Sequence, residues 1–255
     1  MSPSSRSISL FSIGLALLLV TIAAGCSGSS NGDEGPRSVP GFPVWDGASI
    51  QIDLSKLNQI GPNRAAGTTA HRLVHLYLLD RLHDIGIQPA QPNYVQPWGL
   101  PPDTSLNLIG FLAGDDPSLR DTAVVLLAPF DAGVGGRSVS TAVALELMGV
   151  LAQTTRFYRY PTRTVVIAFV DGDEGMHAYF RNPAWPLNAT DAVVRLGGTT
   201  SSRPRALGPF TTWQALVPDA SLAPDSAAAQ LLDRTHRVLL PYLAAPVVPA
   251  LEAVD

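Results

Sequence analysis

Arg163-Thr-Val-Val-Ile-Ala-Phe-Val-Asp171-Gly-Asp-Glu174 is the stretch on which the fold turns. Val165, Val166, Ile167, Phe169 and Val170 make a nearly continuous apolar block, the pattern of a strand covered on both faces in a parallel sheet. The block stops on Asp171, Gly172, Asp173 and Glu174, so three carboxylates follow its C-terminal end. Open α/β sheets bind ligands at that end, and clustered carboxylates there suit a cation or a general base. The same turn also fits a solvated helix start, because acidic groups favour a helix N-terminus. The segment alone leaves both readings open.

The N-terminus speaks to location. Arg6 lies in a short polar leader, and residues 10–24 are apolar apart from Ser12, Gly14 and Thr21. Ala23-Ala24-Gly25-Cys26 follows, giving the three-part layout of a secretory signal over residues 1–25. The only cysteine of the chain sits where small residues end the apolar run, an arrangement that resembles a bacterial lipobox. The expectation is cleavage before Cys26 and a lipid on its sulfur; an uncleaved anchor and an ordinary cleaved signal are the alternatives. Residues 26–45 begin polar and small, with Ser27, Ser29, Ser30, Asn31, Gly32, Asp33 and Glu34, and read as a flexible tether from a membrane. A bacterial envelope protein, anchored by lipid and facing outside the cytoplasm, is the localisation expected.

Removing 25 residues from 255 leaves 230, enough for one domain with a sizeable core, taken as residues 46–255. The net charge is −4 and Lys56 is the only lysine, so no basic patch points to nucleic acid. With Cys26 lipidated no thiolate remains for a disulfide or a metal. A metal would need His, Asp or Glu.

The elements alternate. Residues 68–82 carry Leu73, Leu76, Leu79 and Leu82 at three-residue steps and end near Gly86, which predicts an amphipathic helix with a C-terminal glycine. Residues 105–112 and 122–128 read as strands, 139–153 as a helix and 163–170 as the acid-ended strand. A short strand at 192–196, a helix at 226–243 interrupted by Pro241, and a last strand at 247–254 complete the set. This order predicts a three-layer α/β sheet, mainly parallel.

Four blocks, in order, carry a resemblance. They are Ser105-Leu-Asn-Leu-Ile-Gly-Phe-Leu, Val124-Val-Leu-Leu-Ala-Pro-Phe-Asp131, Ser138-Val-Ser-Thr-Ala-Val-Ala-Leu-Glu-Leu147 and Phe169-Val-Asp-Gly-Asp-Glu174. Together they resemble the zinc aminopeptidase superfamily, especially its glutaminyl-cyclase-like branch. The stretch from Pro241 to Leu251 is similar to that family's closing segment, and the blocks span residues 68–253. The resemblance implies a three-layer α/β/α fold with a mixed, mostly parallel central sheet. It also implies metal and catalytic positions, and these are largely altered. The first metal histidine falls on Pro129, two residues before Asp131, the aspartate that would orient it. The bridging aspartate falls on Gly136, and a later aspartate ligand falls in Arg195-Leu-Gly-Gly198. The final histidine falls on Leu239. The acidic pair persists, with Asp173 as general base and Glu174 as metal ligand.

Zinc needs three or four convergent donors, so one surviving ligand is too few. His177 and His236 lie about one helical turn from the implied positions and are expected at the surface or half-buried. His71 and His75, one turn apart, lack an acidic partner nearby in sequence, and surface polarity is expected there too. Gly133, Gly135 and Gly136 read as a shortened metal loop, and no Gly-x-Ser-x-Gly elbow occurs for a serine hydrolase.

Two functions remain. One is a lipid-anchored, metal-free relative that binds a peptide or a protein partner without turning it over. The other is an active zinc-dependent aminopeptidase or glutaminyl cyclase with relocated ligands. The chain stops at Asp255, soon after the Pro241 block, where relatives continue, so the domain reads as C-terminally short. If Cys26 carries the lipid, Cys26→Ser moves the protein out of the detergent phase or leaves its precursor uncleaved. Unchanged partitioning and processing of the mutant would refute the anchor.

Overall fold

Ala123–Pro129 (β4) and Thr164–Val170 (β5) are buried at every position. They pair in parallel from Ala123↔Thr164 to Pro129↔Val170, and Arg137–Thr155 (α3) joins them. The structure is a computed structural model that describes residues 47–99, 104–131, 137–155, 161–197 and 202–244. All of these fall within one unit, Val39–Asp255. The signal, Cys26, the tether, the glycine loop with Gly136 and the expected strand at 247–254 lie outside the described residues.

Around the central pair the sheet grows to seven strands. Gln88–Pro89 (β1), Val95–Trp98 (β2) and Ser105–Leu112 (β3) lie on the β5 side, while Thr190–Leu196 (β6) and Thr212–Leu216 (β7) lie beyond β4. The order is β1-β3-β5-β4-β6-β7, with β2 also on β3. β4, β5, β6 and β7 pair in parallel, and β3 runs antiparallel to β5, β1 and β2. One strand therefore opposes all the others, giving the mixed, mostly parallel sheet expected.

Side chains alternate across a strand, so each central strand feeds two cores. Leu126, Ala128, Ile167 and Phe169 join the core built with Gly47–Ile60 (α1), Thr69–Ile85 (α2), α3 and Pro224–Leu243 (α5). Val125, Leu127, Val166 and Ala168 join the opposite core, with Met176, Tyr179 and Phe180 of Gly172–Arg181 (α4). Helices on both faces make the three layers and explain the unbroken apolar runs.

Two expectations change. The helix α2 forms, with Thr68 accepting from the His71 amide at its start and Gly86 in the left-handed region at its end. The face it buries is His71, Val74, His75, Leu78 and Leu82, so only Leu82 of the leucine series is fully buried. Leu73 is 47% exposed and Leu76 58%. Steps of three fall short of the 3.6-residue turn, so that series winds around the helix, whereas the buried set keeps one face. In α5, Pro241 does not interrupt the helix. It lies in the last turn with only two helical residues after it, so the one bond its missing N–H costs leaves little helix to break. The end carbonyls are taken up from outside: Arg163 Nη1 donates to Tyr242 O at 3.0 Å and the Thr162 amide to Leu243 O at 2.9 Å.

The corrected face of α2 has a direct test. Leu78→Ala should cost about 2–5 kcal/mol in urea unfolding, while Leu76→Ala should stay within about 0.5 kcal/mol. Equal losses would show that Leu76 packs as Leu78 does.

Candidate functional site

The parallel register of β4, β5 and β6 brings their C-terminal ends together, with Pro129 opposite Val170 and Leu127 opposite Arg195. Asp131 lies two residues past β4, and Asp173 and Glu174 open α4 directly after β5. The three expected site residues therefore share one sheet edge. Gly172 is what lets two of the loops touch. Its φ is +67°, and a Cβ there would stand 2.8 Å from Asp131 Oδ2, so any side chain would be strained and would push the Asp131 carboxylate aside.

From that shared edge the three carboxylates go to different surroundings. Asp131 is half-buried, lies against Gly172, and its charge acts on Arg64. Asp173 accepts a bond from Arg195 Nη2. Arg195 is 1% exposed, in the stretch where the resemblance implies an aspartate ligand. An isolated buried cation is costly, so Asp173 serves as the counter-ion for Arg195. Glu174 is exposed and lines a cleft of about 770 Å³ together with Trp98, His177, Arg181, Arg203 and Arg205.

Of Asp131, Asp173 and Glu174, only Glu174 lines the cleft. Leu239 is fully buried in the core under α5, Pro129 is buried in β4, and Gly136 lies outside the described residues. Arg195 answers the charge of Asp173. His177 is exposed and His236 half-buried, as expected.

A second cluster lies beneath the turn. His71 and His75 are 5% and 6% exposed, which overturns their reading as surface residues. Their acidic partner is distant in sequence. His71 Nε2 lies 3.1 Å from Asp171 Oδ2, and Ser105 Oγ donates to the same carboxylate oxygen. Asp171 is thus buried rather than solvated. Serine, histidine and aspartate meet here, but not as a hydrolytic relay. In a relay the serine and the carboxylate face opposite ring nitrogens, whereas here both lie against Nε2, with Ser105 at 3.4 Å. Asn107 extends the network: its Oδ1 accepts from the Asp171 amide and from Trp98 Nε1, each at 3.2 Å. Its Nδ2 donates to Gly175 O at 2.8 Å. Arg64, 1% exposed, ties the other side by donating to Phe130 O at 3.2 Å, Leu57 O at 3.0 Å and Ser138 Oγ at 2.6 Å. Burial lowers its pKa, and the charge of Asp131 opposes that shift.

A zinc ion does not fit these residues. Pro129 and Leu239 offer no donor, and a guanidinium already occupies Asp173. Among the described residues no group of three or more His, Cys, Asp or Glu could hold a metal.

The buried pair gives a pH dependence. Burial, and then the neighbouring His71, push the His75 pKa down to about 4, against the pull of Asp171 and a bond with the Leu106 backbone. The ordinary value is higher, so between about pH 6.5 and 4 the unfolded chain takes up a proton that the folded chain refuses. The stability that His75 contributes as a neutral ring is complete above that window and lost as pH falls through it. From pH 7.5 to 5 the expected loss is roughly 2 kcal/mol. His75→Leu should remove that part of the acid sensitivity in urea titrations at the two pH values; an unchanged difference would show that His75 does not cause it.

No protein-family model and no curated protein matches the sequence. Solved structures match in fold. A glutaminyl cyclase from Porphyromonas gingivalis matches at 19% identity and a TM-score of 0.47, over 60% of this chain and 60% of its own. A Zn-dependent exopeptidase from Parabacteroides distasonis matches at 20% identity and a TM-score of 0.48, over 63% of this chain and 65% of its own. The chain thus spans less than two thirds of the length of either. A leucine aminopeptidase precursor from Bacteroides thetaiotaomicron matches at 15% identity and a TM-score of 0.48, over 75% of this chain and 83% of its own. In fold, the chain is similar to glutaminyl cyclases and zinc-dependent exopeptidases.

Proposed function

We propose that this chain is a lipid-anchored binding protein of the bacterial envelope, with the fold of zinc aminopeptidases and glutaminyl cyclases but without their turnover. In this reading residues 1–25 are a signal, residues 26–45 a lipidated tether and residues 46–255 a domain that holds a peptide or a partner outside the cytoplasm. The observation that carries the proposal is the pairing of Arg195 with Asp173. It commits the carboxylate that would act as general base to a buried guanidinium. A guanidinium cannot be deprotonated in a protein and gives no open coordination position, so it cannot activate water as a metal does. Glu174 remains as one exposed oxygen donor at the cleft, too few for a zinc site. Fold similarity alone does not restore an activity whose groups are engaged elsewhere.

Purified protein dialysed against zinc-free buffer should hold well under one zinc per chain. It should turn over neither aminoacyl anilides nor N-terminal glutaminyl peptides. One tightly held zinc per chain, together with turnover abolished by Glu174→Gln, would overturn the proposal and assign the chain to an active enzyme with relocated ligands.

A further inference from the structure

The cleft beside Glu174 has a lining that selects for charge. Arg181 comes from the last turn of α4, and Arg203 and Arg205 come from the segment that leads towards β7. All three are exposed. Arg203 is held in place by donating to Gly208 O, within its own turn. Trp98, half-buried and fixed through Nε1 to Asn107, supplies an aromatic wall, and His177 supplies a ring nitrogen. Glu174 is the single carboxylate among the lining residues. Three guanidinium groups against one carboxylate make the cleft cationic in a chain whose net charge is −4, so its charge runs against the molecule's average.

We propose that this cleft binds short peptides of net negative charge, the acidic side chains or terminal carboxylate lying on Arg181, Arg203 and Arg205 and the free amine on Glu174. The proposal deepens the binding reading given above and rests on it for the absence of turnover. Its chemistry follows from the lining. Guanidinium groups take carboxylates in paired hydrogen bonds, and an ammonium group is the natural partner of a lone exposed carboxylate. A polyphosphate would satisfy the arginines but leave Glu174 facing like charge, whereas an acidic peptide satisfies both. A cleft of about 770 Å³ is of the size that holds small ligands and short peptides. Binding between exposed charges is screened by salt, so affinity should fall as ionic strength rises.

Isothermal titration of the purified chain with tri-glutamate, tri-alanine, tri-lysine and inorganic pyrophosphate tests the proposal. Tri-glutamate should bind, more tightly than tri-alanine, with tri-lysine weakest, and 0.5 M NaCl should weaken it severalfold. Arg181→Ala and Arg205→Ala should each weaken tri-glutamate by about fivefold, the size of a partly exposed charge-assisted contact. Arg72→Ala, on an exposed face of α2 outside the cleft, should change nothing. N-acetylation of tri-glutamate should weaken it, and Glu174→Gln should abolish the difference between acetylated and free peptide. Three results would overturn the proposal: equal binding of tri-glutamate and tri-lysine, insensitivity to both arginine variants, or pyrophosphate binding tighter than tri-glutamate. Hydrolysis of tri-glutamate during the titration would overturn the inactive reading and leave the binding site standing, so the two failures are distinguishable.

Discussion

Parallel pairing of β4 with β5, in a register that sets Pro129 beside Val170, fixes where everything else in the molecule can act. Two strands buried on both faces cannot slip, because a one-residue shift would turn every core side chain to the wrong layer. Their C-terminal ends are therefore held level, and the chain must leave both at the same edge. β6 adds in parallel on the other side of β4 and brings Arg195 to that edge. Asp131, Asp173, Glu174 and Arg195 come from three loops or strand ends distant in sequence, and the sheet alone makes them neighbours.

Beneath the edge, buried polar groups do the fastening. Asp171 joins β5 to α2 through His71 and to β3 through Ser105. Asn107 joins β3 to α4 through Gly175. Arg64 joins the chain between α1 and α2 to Phe130 and to Ser138 at the start of α3. Leaving a buried polar group without its partner costs about 1–3 kcal/mol, more for a charged one, so these bonds act as locks on one arrangement. Glu174 consequently sits on a helix start pinned from below, and the cleft wall at Trp98 is pinned by the same asparagine.

The fold was legible in the sequence to the extent that burial writes itself into apolar runs. β3, β4, β5, α3 and α5 fell where the runs placed them, within a few residues. α1, β1, β2 and β7 did not, because short edge strands and a helix with a narrow buried stripe carry little periodic signal. The site was legible at Asp173 and Glu174, whose position follows from an apolar strand ending on acids. It was not legible at His71 and His75. Two histidines on a helix read as polar surface until the acid that receives them is known, and Asp171 is about a hundred residues away. The period was present in the sequence, since 71, 74, 75, 78 and 82 keep one face, but the leucines at 73, 76 and 79 masked it. The arginines of the cleft gave no signal either, because Arg181 is separated from Arg203 and Arg205 by β6 and only the fold assembles them.

Arginine in a strand-end position that the family resemblance gives to an acid changes what the edge can do, not only what it can bind. A metal neutralises its carboxylates and still presents an open position, at which water loses a proton. The guanidinium of Arg195 neutralises Asp173 just as directly, yet it can only donate hydrogen bonds and presents no open position to water. The charge of Asp173 is thereby answered by a side chain of the chain itself. What the turn still offers to solution is Glu174, the single carboxylate in a cleft whose lining includes Arg181, Arg203 and Arg205. The edge thus presents its acids in two states, Asp173 paired with a buried guanidinium and Glu174 exposed at the cleft.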